Sequence, residues 1–468
     1  MLRSTKTFYA LTSGLILVGI TFLLLNNQRA FETESMHEKP IFSEFMGINT
    51  HNVEVNMNLL APVFNLVRDY HTVTWSLPDN DTRRANFPYS NMEIGWHDRS
   101  GKVGHHKGLV NFEKIYQSWV TLGFDINASL MMVQKHPSNW THLEEDAYHF
   151  GKDFASYFGP SNRGLVSSVE VGNEPVPYWD LESYAKAFQS MARGIRDGDP
   201  AMKILTAAAQ PGKPDEFSVP LDMYKEFGDL YDVIKIHVYA FKQLWPTFER
   251  SFPEDPSINN LRIIENTIRW RDRHAPGKEI WITEFGYDSS HQSPEPGSDW
   301  AQLAVVSDFV QAQWLIRSLL EFSRLDVQRA YIYWFNDHDE FAFHASSGIM
   351  RLNRPKMSYW ALKQMQQVLG EFRFSEEVQR RRGNIHLYAF EHGGNPNKNI
   401  WVAWSPTGET HRRGSNRTLA TTIDVPSRPV KVIPMQTTEQ TPNSVSFEYH
   451  NGRLTFELSE SPVYIVFK

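Results

Sequence analysis

Glu174 and Glu284 each close a short apolar run, in Ser168-Val169-Glu170-Val171-Gly172-Asn173-Glu174-Pro175 and Glu279-Ile280-Trp281-Ile282-Thr283-Glu284-Phe285-Gly286. Runs of this length that end in glycine or proline read as buried strands giving way to loops. A carboxyl just past the carboxyl end of a buried strand is where barrel enzymes keep their chemistry, because the loops there meet over an open pocket. Two such carboxyls suit cleavage of an acetal. One protonates the leaving oxygen and the other attacks the anomeric carbon from about 5–5.5 Å away. The attacking group must be ionised, so donors or a cation should surround it. The acid must hold its proton, and a neighbouring negative charge helps it do so.

The elements that would carry this pair repeat along the chain. Between Pro40 and Asp339 short apolar runs alternate with longer amphipathic segments. Eight strands are predicted: Phe45–Asn49, Phe64–Asp69, Asp125–Leu130, Val169–Asn173, Lys203–Ala208, Val233–Val238, Ile280–Glu284 and Ala330–Phe335. Helices are predicted at Leu181–Arg196, with Asp180 as its cap, at Ala301–Phe322 and at Met357–Leu369. The pattern predicts a (β/α)₈ TIM barrel over residues 40–370, with Glu174 ending the fourth strand and Glu284 the seventh. Long segments follow strands two, three and six (Thr72–Val110, Val133–Ser167 and Tyr239–Asn260), and they are expected as loops that build a cleft. Beyond Gly370 the chain turns to short strands between Gly, Asn and Pro turns: Ile385–Phe390, Ile400–Trp404, Thr421–Val425, Ser444–Tyr449 and Val463–Phe467. An all-β sandwich is predicted over residues 371–468.

Composition narrows the classes. A hydrophobic share of 41% supports a large core, and a net charge of −7 speaks against nucleic acid as partner, which would need a basic stripe. With no cysteine, disulfide frameworks, thiolate metal sites and cysteine nucleophiles are excluded. Arg3 and Lys6 precede the apolar run Phe8–Leu25, which Asn26-Asn27-Gln28-Arg29 follows. That order is a secretory signal or an uncleaved signal anchor within residues 1–30, and either predicts export, with membrane anchoring through residues 8–25 in the second case.

Asn173-Glu174-Pro175 at the end of one strand and Thr283-Glu284-Phe285-Gly286 three strands later resemble the signature of glycoside hydrolase clan A. The barrel-then-sandwich layout is similar to that of families 39 and 30. The resemblance implies a retaining β-glycosidase acting by double displacement, Glu284 the nucleophile and Glu174 the acid/base, with no cofactor and no metal. It also implies roles at matching positions: Arg68 pairing with the nucleophile, Asn173 on the sugar 2-hydroxyl, His237 and Tyr239 beside Glu284, and Trp334 as a stacking platform under the scissile sugar. A surface ion pair, an Asx turn, a core-packed pair and a core aromatic are the plain alternatives for these positions. Further lining candidates are Asn49, His51, His136, Trp140, Trp179 and Tyr287, while Trp75, Trp96 and Trp245 on the long segments either stack sugars or pack.

His105-His106 and Asp337-His338-Asp339-Glu340 lack the helical spacing of metal ligands and read as solvated loop residues. Glu170 falls on the barrel interior and is expected in an ion pair. The expectation is an exported bacterial enzyme, periplasmic, extracellular or anchored, that cuts a polysaccharide or oligosaccharide internally. The alternatives are an inactive carbohydrate-binding protein on the same scaffold and a metal-dependent hydrolase.

Overall fold

The computed structural model describes residues 37–50, 56–77, 84–97, 103–133, 135–176, 178–381 and 385–467. Eight parallel strands close a barrel in sequential order. They are β1 Met46–Asn49, β2 Leu66–Thr72, β3 Asp125–Met131, β4 Ser168–Val171, β5 Lys203–Leu205, β6 Val233–His237, β7 Glu279–Phe285 and β8 Arg329–Ile332. Each coincides with one of the eight apolar runs. Alternate residues, such as Val67, Val169, Val171 and Ile236, join the large core cluster that also holds the helices' buried faces, which is how a barrel strand comes to read as a continuous apolar run.

The outer layer is made chiefly by α1 Phe112–Thr121, α2 Leu143–Phe158, α3 Leu181–Gly198, α4 Asn260–His274, α5 Asp308–Arg324 and α6 Met357–Leu369. Asp180 caps α3 by accepting from the Ser183 backbone N–H at 2.8 Å, and Tyr184, Phe188, Met191 and Ile195 form its buried face. Helices α2 and α3 press so close that a Cβ at Gly194 would collide with the Tyr148 carbonyl. Two expectations are corrected here. Helix α5 begins at Asp308, not Ala301, because the Ser307 hydroxyl accepts from the Val310 N–H and caps it there. The segment after β3 is not all loop but contains α2, whose Ala147, Phe150, Phe154 and Phe158 face the core at helical spacing. The segment after β2 carries a hairpin of Tyr89–His97 and Val103–Asn111; that after β6 is a loop.

The C-terminal strands are β9 Phe372–Arg381, β10 Ile385–His392, β11 Asn395–Trp404, β12 Leu419–Asp424, β13 Lys431–Pro434, β14 Glu448–His450, β15 Arg453–Leu458 and β16 Val463–Val466. They form a sheet in the order β9-β10-β11-β16-β13 and another in the order β12-β15-β14. Leu387, Ala403, Val432 and Ile465 meet Ile423, Leu454 and Phe456 between the sheets. The other face of the larger sheet presents Tyr388, Phe390, Val402, Trp404 and Tyr464 to the barrel's own core cluster. Two buried carboxylates anchor this seam: Glu254 accepts from Arg317 at 2.7 and 2.8 Å and from the Trp404 indole, and Glu321 accepts from Tyr388 at 2.6 Å and Arg324 at 2.8 Å.

Residues 1–36, with the expected export segment, lie outside the described residues. No helix among the described residues is long and apolar enough to cross a membrane.

Candidate active site

The barrel interior is layered. At its floor Leu66, Leu205, Val233, Trp281 and Tyr331 form an apolar plug. Above it lies an ionic layer built from inward-facing residues two positions further along the strands. Arg68 grips Glu170 with Nε at 2.7 Å and Nη2 at 2.6 Å, Lys235 Nζ reaches Glu170 at 2.8 Å, and Asn127 Nδ2 donates to it at 2.8 Å. Buried charge is tolerated only when paired and hydrogen-bonded in this way. Burial alone would raise the Glu170 carboxyl, but the Arg68 and Lys235 charges outweigh it and hold it at about 2. Glu170 is thus the interior ion-pair residue expected from its strand position.

The mouth is the next layer up, and Arg68 links the two. Its Nη1 donates to Asn49 at 2.7 Å and to Glu284 Oε1 at 2.9 Å, and its Nη2 to Asn173 Oδ1 at 2.6 Å. Glu284 Oε1 also accepts from the Tyr70 hydroxyl at 2.7 Å, and Oε2 from the Tyr239 hydroxyl at 2.9 Å. Strict alternation from Trp281 would aim Thr283, not Glu284, into the barrel. Ile236 pairs with Ile282 and His237 with Glu284, so β7 holds one extra residue, and the same shift recurs on its β8 side. Such a bulge re-aims a side chain; here it turns Glu284 to the mouth.

Glu174 stands opposite. One oxygen of Glu174, one oxygen of Glu284 and one nitrogen of His237 all lie within 4.8 Å of one another. His237 Nδ1 is 2.6 Å from Glu174 Oε1, and its Nε2 is 3.6 Å from Glu284 Oε1. Burial, followed by the charge of Glu284, pushes the Glu174 carboxyl up to about 8. Burial and the nearby Lys235 and Arg68 charges push His237 well below the usual histidine range, so it is neutral. Lys235, which also reaches Asn173 Oδ1 at 3.1 Å, is lowered to about 8, chiefly by burial, with Glu170 opposing.

These groups open into a cavity of about 990 Å³ whose walls include Tyr70, Trp75, Asn173, Glu174, His237, Tyr239, Glu284 and Tyr333. The remaining sequence candidates fall elsewhere. Asn49 is fully buried beneath Arg68 and donates to the Thr283 and Ile332 carbonyls at 3.0 and 3.1 Å. Tyr287 is only 2% exposed and bonds Ser318 on α5, so it faces the helix layer and does not line the cavity. His136 is exposed and caps the turn Pro137–Asn139, and Trp140 and Trp179 pack edge-to-face in the core. Trp334 is half-buried, its indole N–H donating to the His344 carbonyl at 3.3 Å, and its neighbour Tyr333 is the cavity-wall residue. Trp245 is 57% exposed against Trp300 and Phe248. His51 lies outside the described residues, and so do the side chains of Trp96, His105 and His106. Asp337 and Asp339 are buried against Lys356 and Arg351; His338 is exposed. Tyr70 and Lys235 were overlooked in the sequence, although period-two spacing from Arg68 and from His237 points to both.

Two clusters have the donor types of a cation site: Glu174, His237 and Glu284 in the mouth, and Glu254, Glu321 and His386 at the seam. Positive charge is already supplied at both. Arg68 touches Glu284 in the first, and Arg317 and Arg324 hold the two carboxylates of the second.

No family model and no curated protein sequence matches the chain. Solved structures do match its shape. A family 39 glycoside hydrolase from Bacteroides cellulosilyticus WH2 superposes with a TM-score of 0.64 at 16% identity, over 90% of this chain and 80% of that one. A glucosidase from Croceicoccus marinus gives 0.59 at 12% identity over 93% and 98%, and a family 51 α-L-arabinofuranosidase from Bifidobacterium longum gives 0.57 at 12% over 91% and 95%. What is shared with these glycoside hydrolases, at such identities, is the fold: a (β/α)₈ barrel followed by a β-sandwich.

Proposed function

We propose that the chain is a retaining β-glycosidase in which Glu284 attacks the anomeric carbon and Glu174 serves as acid and then base. The observation that carries this reading is the approach of the two carboxylates, with oxygens inside 4.8 Å. Retaining enzymes hold the pair about 5–5.5 Å apart, whereas inverting ones leave about 6.5–9.5 Å for a water. Arg68, Tyr70 and Tyr239 donate to Glu284, which fixes its aim at the sugar. Glu174, pushed up to about 8, brings the proton that the leaving oxygen needs. When Glu284 becomes an ester its charge vanishes, Glu174 becomes more acidic, and it then takes a proton from the incoming water. Neutral His237 bridges the pair; with its proton on Nε2, Nδ1 accepts from the Glu174 hydroxyl. Arg68 and Lys235 both hold Asn173 Oδ1, which leaves the amide NH₂ to donate to a sugar hydroxyl.

The size and openness of the cavity support a polysaccharide or oligosaccharide cut internally, and the Phe8–Leu25 run supports export. Turnover of aryl β-glycosides and a glycan panel tests the reading: wild type hydrolyses a member of the panel, and Glu284→Gln does not. Binding without turnover in wild type would leave only a carbohydrate-binding protein. Loss of turnover on chelation would point to a metal-dependent hydrolase instead.

A further inference from the structure

Apart from the carboxylate pair, the cavity lining carries a charge opposite to that of the chain as a whole, three cations against one acid, Asp215. The cations are Lys213, Lys242 and Arg262, on three separate segments. All three are exposed, and no carboxylate among the described residues pairs with them. The two acids nearby, Asp215 and Asp255, hold neutral donors of their own loops and form no ion pair with these cations. Asp215 accepts from Gln210 at 2.7 Å and from the Phe217 and Ser218 N–H groups at 3.1 and 2.8 Å, which folds its own loop. Asp255 accepts from Ser251 at 2.5 Å and from Ser257 at 2.6 and 2.8 Å. In a protein of net charge −7, three cations set against one lining acid, with Asp255 near Lys242, leave a local excess of positive charge that attracts anions.

The basic lining continues onto the sandwich. Lys242 Nζ lies 3.4 Å from Thr410 Oγ1, in the loop between β11 and β12, and Thr410 also meets Ser251 at 2.8 Å. The Ser307 N–H donates to the Arg412 carbonyl at 2.8 Å, pinning this loop against the rim of the barrel. Arg412 and Arg413 are exposed there and enter no ion pair among the described residues.

We propose that the substrate is an anionic glycan, bearing uronate carboxylates or sulfate esters, and that Lys213, Lys242 and Arg262 bind its charged groups beside the catalytic pair. Arg412 and Arg413 extend the track, which gives the sandwich a part in holding the chain. The proposal rests on the glycosidase reading for its catalytic step but concerns recognition alone. Binding therefore tests it without turnover.

Calorimetry on Glu284→Gln compares four oligosaccharide probes: a polyuronate and its carboxyl-reduced form, and a sulfated glycan and its desulfated form. An anionic probe is expected to bind at least about tenfold tighter than its neutral counterpart, and the pair that shows this tells carboxylate from sulfate. The advantage should collapse toward about 1 M salt, where the screening length falls to about 3 Å. Lys213→Ala, Lys242→Ala and Arg262→Ala should each weaken binding about 1.5- to 5-fold, the range for single exposed charge pairs. Arg412→Ala with Arg413→Ala should weaken only the longer probes. Equal affinity for charged and neutral forms, or affinity unmoved in the Lys213/Lys242/Arg262 triple variant, overturns the proposal. Retaining hydrolysis of a neutral glycan with no charge preference would do so while leaving the glycosidase reading intact. Salt-sensitive anion binding with no turnover by wild type would remove the glycosidase and keep the track.

Discussion

Glu284→Gln should change the acidity of a residue it does not replace. The Glu174 carboxyl is pushed up to about 8, first by burial and next by the Glu284 charge. With the two oxygens inside 4.8 Å, a unit charge at an effective dielectric of about 20 contributes about 3 kcal/mol. That is roughly two pK units, at about 1.4 kcal/mol each. Neutralising Glu284 removes this repulsion and leaves the burial, so Glu174 should titrate near pH 6 in the variant, roughly two units below wild type. The assay is carbon NMR of protein labelled at the glutamate side-chain carboxyl, with the Glu174 signal assigned by its loss in Glu174→Gln. The same drop is what would let Glu174 act as base once the glycosyl ester forms. A Glu174 that titrates within about half a unit in the two proteins would mean the carboxylates do not sense each other, and the acid-to-base switch would have no physical cause.

Other outcomes follow from the same geometry. In wild type the alkaline limb of kcat/KM should fall near pH 8, as Glu174 loses the proton it must deliver. A carboxyl raised in the folded state contributes stability that is present below its unfolded value and is lost as pH rises through the folded one. Glu174→Gln should therefore raise Tm above wild type at pH 8–9 and leave it little changed near pH 4, while abolishing turnover. Tyr239→Phe removes one charge-assisted hydrogen bond to Glu284 and leaves Arg68 and Tyr70 in place. At about 1.5–3 kcal/mol for such a bond, kcat/KM on an aryl glycoside should drop about 10- to 150-fold. Arg68→Met strands Glu170 in the barrel interior with Lys235 as its sole cation, and denaturant unfolding should show a loss of about 3–5 kcal/mol. Truncation at Gly370 strips the partner from a barrel surface that packs on Tyr388, Phe390, Val402 and Trp404, so the fragment should aggregate or fail to unfold cooperatively.

Much of this arrangement was legible in the sequence because barrel strands advertise themselves. Their outer faces are apolar, and barrel enzymes keep their chemistry where such runs stop, which is what singles out Asn173-Glu174 and Thr283-Glu284. Arg68, His237 and Tyr239 come from the resemblance, which places such residues near the ends of these runs. Tyr70 and Lys235 share faces with residues already chosen but were passed over, one lying in a strand that runs on to Thr72, the other in mid-strand. The bulge in β7 could not be read, since its extra residue shows only in pairing with neighbours. The start of α5 was misplaced because Leu303, Ala304, Val305 and Val306 continue an apolar pattern in a segment that is neither helix nor strand, and the stronger local signal was the Ser307 cap. In the sandwich, β9, β13 and β15 were missed: β9 mixes charges through Arg373, Glu376 and Glu377, β13 is a short run, Lys431–Pro434, that ends in proline, and β15 carries Arg453 and Glu457 between its apolar residues. Tyr287 follows the bulge, and its place among the helices depends on a partner, Ser318, that lies 31 residues away.

The most direct test of the central claim is the configuration of the first-formed sugar, followed by proton NMR during hydrolysis of a β-glycoside. Double displacement between Glu174 and Glu284 predicts that the β-anomer appears first and the α-anomer grows in only by mutarotation. An α-anomer as initial product would show a single displacement through water, and would contradict the roles assigned to both glutamates.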